Sequence, residues 1–227
     1  MSQESIQKAN MEELVYKKIK LSIYKRFIRP GSQLVEAAIA KKLNVSRTPV
    51  RAAIKKLEHD GFVQVTPNRG AFVIKPTAEE MKDAYSVRLL LEKQSAGLAA
   101  ERISKEHIEK LYKLINEEER TFDHRDTDNY YKMNDSFHLI IAEASQNKLL
   151  LEYVKDIVSR TTIYVILFDP LDTLEFNPSI EEHIAIVKAL ESGDKLEAEK
   201  AMEKHLNSVI AGLKLEDSGA NEDFLFL

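Results

Sequence analysis

A mainly α protein in two parts is predicted by three features of the chain. Residues 45–58 (VSRTPVRAAIKKLE) read as a capped helix with two arginines in its opening turn, entered from a short helix through a tight turn. Two strand-like runs then flank a turn containing proline and glycine. From residue 78 to 214 apolar residues recur at helical spacing, and glycine and proline are scarce. Together they predict a winged helix-turn-helix (three helices plus a two-stranded wing) over 8–75. An all-α antiparallel helical bundle follows over 77–215, then a C-terminal tail over 216–227.

In the first part, Leu14 to Ile28 reads as an amphipathic helix with Leu14, Ile19, Ile23 and Phe27 as its stripe, closed by Pro30-Gly31. Glu36 to Leu43 is a short helix with Ala37, Ala40 and Leu43 as contacts, and Asn44-Val45 is the turn. Ser46 is placed to cap the next helix through its side-chain oxygen, and Pro49 lies in the first turn, where a missing N–H costs least. Val50, Ile54 and Leu57 form the buried stripe. Ser46, Arg47, Thr48, Pro49 and Arg51 then gather at the end that would reach base edges in a major groove. Asp60-Gly61 stops the helix. Phe62 to Val65 and Ala71 to Ile74 make the wing, whose Arg69 and Gly70 are candidates for a minor groove or phosphate.

Charge divides the chain at the same place. Residues 1–75 carry 15 Lys and Arg against 6 Asp and Glu, and the remainder carries 18 against 31. A basic head on an acidic body is drawn to a polyanion in one orientation, and its binding depends on salt. With helix, turn and wing in order, residues 12–75 resemble the winged helix of GntR-type bacterial transcription regulators, whose SRTPVR signature stands intact at Ser46 to Arg51. Ala37 stands where some relatives carry a DNA-contacting arginine, which leaves Lys41 and Lys42 as phosphate contacts from that helix.

There is no cysteine, so disulfides, zinc–thiolate sites and thiol nucleophiles are excluded. The longest apolar run, about Ile163 to Phe168, is far short of a membrane span and no signal peptide opens the chain. A soluble, cytoplasmic protein with no membrane partner is expected.

Beyond Pro76-Thr77 we read helices at about 78–102, 105–123, 126–146, 148–168, 179–192 and 194–214. His138 shares a face with Asn134, one turn earlier. His183 shares a stripe with Ile180, Ile186 and Val187, and His205 shares one with Ala201, Met202 and Val209. His183 and His205 stand ten and twelve residues from the turn at Gly193, or roughly 15 and 18 Å along their helices, so their rings are level. An enclosed imidazole cluster is costly when charged, and a divalent metal holds it neutral. Three ring nitrogens with an Asn134 oxygen suit zinc, nickel or, with waters, manganese.

Residues 77–214 resemble the FCD effector domain of the FadR-like branch of these regulators. The resemblance rests on Arg88-x-x-x-Glu92, the run from Phe137 to Asn147, Glu182-His183 and the late His205. It implies Asn134, His138, His183 and His205 as metal ligands, with an amide at 134 where metal-binding members carry a carboxylate. It also implies a small effector, a carboxylate-bearing metabolite. Arg88 has two readings: a fork for that carboxylate, or an i,i+4 ion pair with Glu92. Tyr85, Tyr131 and Tyr164 have two as well, cavity lining or ordinary core aromatics.

The function expected is a ligand-responsive regulator that binds a near-palindromic double-stranded operator as a homodimer. Two alternatives are a metal-dependent hydrolytic enzyme and an architectural DNA binder with a purely structural metal. Against the enzyme, Asp135, Glu181 and Glu182 are the only general-base candidates and read equally as solvated helix-face charges.

Overall fold

The computed structural model describes residues 3–168, 174, 175, 177 and 179–212, with only the helical backbone for 3–9. The tail predicted over 216–227 lies outside the described residues. The chain divides into two compact units, with the boundary in sequence between Pro76 and Thr77.

The first unit is built from α1 (Gln3–Tyr24), α2 (Glu36–Leu43) and α3 (Arg47–His59), with strands β1 (Gln33–Leu34), β2 (Val63–Thr66) and β3 (Gly70–Val73). Helix α1 buries Val15, Ile19 and Ile23 as it packs against α3, which contributes Val50, Ala53, Ile54 and Leu57. The stripe predicted for α1 is therefore rotated: Leu14 and Phe27 are about half exposed, at 47% and 51%. The helix also ends at Tyr24, because Arg26 turns into the left-handed region (φ 57°). The turn between α2 and α3 is closed by Asn44 in the left-handed conformation, its N–H bonded to the Ala40 and Lys41 carbonyls.

Ser46 has the extended backbone of an N-cap, but its side chain makes no capping bond, contrary to expectation. The sheet has three antiparallel strands rather than two, in the order β1-β3-β2, with Gln33 opposite Phe72 and Leu34 opposite Ala71. A two-residue strand has no periodicity to read, so only its partner reveals it. Gln33 also ties down the wing tip, its amide donating to the Arg69 carbonyl at 2.8 Å.

The second unit comprises α4 (Ala78–Ala100), α5 (Lys105–Asp123), α6 (Thr127–Ala144), α7 (Lys148–Phe168), α8 (Ser179–Ser192) and α9 (Lys195–Gly212). Thr77 and Glu80 form a reciprocal capping box at the start of α4. Small residues Ala96, Gly97, Ala99 and Ala100 line the buried face of α4 and let α9 approach closely. A Cβ at Gly97 would lie 2.4 Å from Glu199 Oε1. Leu111, Ile115, Phe137, Ile141, Ile186, Leu190, Met202 and Leu206 fill the centre. Gly193, at φ 74°, makes the short turn from α8 to α9 that the level histidines require. Among the described residues, no helix is long and apolar enough to cross a membrane.

Candidate metal centre and DNA-reading helix

Helices α6, α8 and α9 bring His138, His183 and His205 together in the core of the bundle. One ring nitrogen from each lies within 4.8 Å of the others, and all three residues are buried. Ring centroids are 4.6 Å apart for His183 and His205, 5.3 Å for His138 and His205, and 5.7 Å for His138 and His183. Phe137 stacks on His183 at 4.1 Å and fixes that ring's plane.

Each imidazole is addressed from behind by a carboxylate. His183 Nδ1 lies 2.8 Å from Glu118 Oε2, and His205 Nδ1 lies 2.9 Å from Glu182 Oε2. His138 Nδ1 stands 2.5 Å from Glu92 Oε2. A carboxylate at Nδ1 selects the Nδ1–H tautomer and turns the Nε2 lone pair forward. All three Nε2 atoms are buried without a hydrogen-bond partner. Three such lone pairs facing one space are a donor set for a cation. Burial pushes His138 down to about 4, against the pull of Glu92, and His205 down to about 3, against the pull of Glu182. Both rings are therefore neutral near pH 7, the form in which imidazole binds metal.

Arg88 is buried and ion-paired, with Nε donating to Glu92 Oε1 at 2.5 Å and Nη1 to Thr161 Oγ1 at 3.0 Å. Its guanidinium carbon lies 5.7 Å from the Tyr85 ring centroid. Burial alone would raise the Glu92 carboxyl, but His138 and Arg88 together hold it down at about 2. Tyr131 is buried edge-on against Tyr130. Asn134 is half-buried, and its side chain hydrogen-bonds the Asp135 carboxyl.

Of the three acids open to a solvated reading, two are not solvated. Burial raises Asp135 to about 6, and the carboxylate accepts from Thr162 Oγ1 at 2.5 Å, while Glu182 holds His205. Glu181 alone of the three is exposed.

Sequence reasoning also missed Glu118 and Asn177. Asn177 donates to Glu118 Oε1 at 3.1 Å, and its carbonyl oxygen accepts from the Ser179 N–H at 3.0 Å. The available signal was Glu118 itself, a charge on the apolar stripe Leu111, Ile115, Phe122. Between α5, α8 and α9 lies a cavity of about 920 Å³ whose wall includes Asn177, Glu182, Glu119, Glu181, Lys200 and Lys204.

In the first unit, Ser46, Arg47, Thr48, Arg51, Arg69 and Gly70 are exposed. Pro49 is buried, so its expected DNA contact is corrected: it belongs to the packing of the first turn of α3. Arg51 is exposed but not idle, being forked onto Glu36 of α2. The Arg69 guanidinium lies 5.8 Å from the Phe72 ring.

Residues 12–73 match the gntR family of bacterial regulatory proteins, and residues 83–208 match the FCD domain. The HTH-type transcriptional repressor RspR of Escherichia coli K12 is 26% identical over 202 residues, spanning 88% of this chain and 87% of that protein. The HTH-type transcriptional repressor NanR of Cronobacter sakazakii is 27% identical, spanning 93% and 88%. Among solved structures, a putative GntR regulator from Rhodococcus sp. RHA1 covers 88% of this chain and 95% of its own. Its TM-score is 0.65 at 23% identity, and it shares the fold. The gntR family is one of regulatory proteins, and RspR and NanR are named as transcriptional repressors rather than enzymes, so the hydrolase alternative falls. The chain belongs to the GntR family of transcription regulators, in the branch whose winged helix is followed by an FCD domain.

Proposed function

We propose that this regulator binds a near-palindromic operator as a homodimer in the cytoplasm and responds to a small carboxylate through a metal centre in its bundle. The observation that carries the reading is the set of three buried, unpartnered Nε2 atoms, each backed by a carboxylate at Nδ1. His138, His183 and His205 would hold the ion, with the Asn134 amide as a further oxygen donor. A three-nitrogen set suits zinc or nickel, and manganese with added waters. When bound, such an ion would act as a Lewis acid toward a carboxylate oxygen. Arg88 is the buried cation tied to the same cluster through Glu92, so an incoming carboxylate would share Arg88 with Glu92.

At the other unit, Arg47, Thr48 and Arg51 would meet base edges, with Arg69 and Gly70 at the adjacent minor groove or phosphate. Dimerisation is supported by exposed apolar side chains on two mutually packed helices. Val87 and Leu90 on α4 are 46% and 72% exposed, and Leu149 and Tyr153 on α7 are 65% and 59% exposed. Differential affinity of the effector for two arrangements of the dimer would then change operator binding.

The test uses duplexes selected from a random pool by the full chain. Their affinity is measured with metal-stripped and zinc-loaded protein, against a panel of mono-, di- and tricarboxylates. At least one carboxylate should shift affinity about fivefold or more, in the zinc-loaded form only. If zinc binds but no carboxylate acts, the metal is structural and the sensing role is wrong.

A further inference from the structure

We propose that Glu36 is a positioning residue for DNA reading, holding the Arg51 guanidinium so that its outer end is presented to a base. The inference rests on the reading that the start of α3 enters the major groove. Glu36 opens α2 and Arg51 lies one turn into α3, so their contact spans the helix-turn-helix itself. Arg51 Nε donates to Glu36 Oε1 at 2.9 Å and Nη2 donates to Oε2 at 2.8 Å, a bidentate fork.

As a stability device this pair is weak. The side chains are 64% and 32% exposed, and an exposed ion pair contributes little to folding. Its geometric effect is larger. Arginine carries several rotatable bonds, and immobilising it on binding would cost affinity; the fork does that before DNA arrives. Only the Nε edge is consumed. Donors at the tip, on Nη1 and Nη2, keep the spacing that matches guanine O6 and N7.

The carboxylate also discriminates. A negative charge beside the guanidinium repels phosphate and makes Arg51 a poor general backbone contact, whereas a base edge is neutral. Glu36 is held ionised: the Arg51 hydrogen bonds outweigh its slight burial and, with the Arg47 charge, keep its carboxyl below the usual value. Its place in the first turn of α2 favours the anion further.

The experiment is selection from a random duplex pool followed by sequencing, with the full-length wild type, Arg47→Ala, Arg51→Ala and Glu36→Gln. Arg51→Ala should flatten one base position of the selected motif. Glu36→Gln should flatten that same position, with about tenfold lost discrimination, while Arg47→Ala alters a different one. A Glu36→Gln motif identical to wild type, with Arg51→Ala altered, overturns the proposal and leaves the recognition helix standing. So does Glu36→Gln weakening every position together with a lowered Tm, because that is a structural role. Arg51→Ala that weakens binding with every position intact makes Arg51 a phosphate contact and also overturns it. Motif and affinity unchanged in both arginine variants would instead sink the recognition-helix reading.

Discussion

Glu92 serves two partners at once: Oε2 stands 2.5 Å from His138 Nδ1 while Oε1 accepts from Arg88 Nε at the same distance. One carboxylate thus orients a member of the imidazole cluster and neutralises a buried guanidinium. Removing it strands Arg88 in the core. Glu92→Ala should destabilise the chain by about 3–5 kcal/mol, the usual cost of breaking a buried pair on one side. Urea unfolding of the full chain reads this, and a loss under about 1 kcal/mol would mean that Arg88 finds another partner.

Glu118 and Glu182 act on the cluster without entering it. Glu118→Ala should weaken zinc binding about 10–100-fold, the range for losing a carboxylate behind a histidine ligand. Competition against a chromophoric chelator measures it, with Glu181→Ala, an exposed neighbour, as the unaffected control. Equal loss in both variants would point to general disturbance of α5 and α8.

Acid should weaken the metal-free protein. His138 and His205 titrate near 4 and 3 when folded, against an ordinary value of 6.5. Between these values the unfolded chain binds protons that the folded chain refuses. Their contribution is therefore complete above pH 6.5 and is lost as pH falls. Each group contributes up to about 1.4 kcal/mol per pH unit within the window. Denaturation curves from pH 7.5 to 5 should show stability falling, and a His205→Gln variant should show a shallower fall. Stability that is flat or rising on acidification would contradict neutral, buried rings.

Zinc should reverse part of that loss. At 100 times its Kd, an ion that binds only the folded state adds about 2.7 kcal/mol. A raised Tm in the wild type, absent from the His183→Ala, His205→Ala double variant, is the expected calorimetric result. A Tm rise that survives in the double variant would place zinc elsewhere.

Much of this was legible because helical spacing is a strong signal in a chain so poor in glycine and proline. The level placement of His183 and His205 followed from counting outward from Gly193, and the 4.6 Å separation of their rings agrees. The acids behind the rings were harder. Glu118 and Glu92 look like ordinary helix charges until the neighbouring helix is in place, since their partners lie 65 and 46 residues away. The Glu36–Arg51 fork was hidden for the same reason, and β1 was too short to show a period. Burial of Pro49 was readable in principle: it lies one residue before Val50, at the edge of the apolar stripe.

The central claim, a DNA reader led by the arginines of α3, is tested most directly by fluorescence anisotropy. A duplex selected by the wild type is titrated at several salt concentrations with the wild type and the Arg47→Ala, Arg51→Ala double variant. Affinity should fall by about 100-fold or more in the variant, with the slope of log K against log salt shallower by about one if Arg47 also meets phosphate. Affinity within about twofold of wild type, at an unchanged slope, would contradict the account.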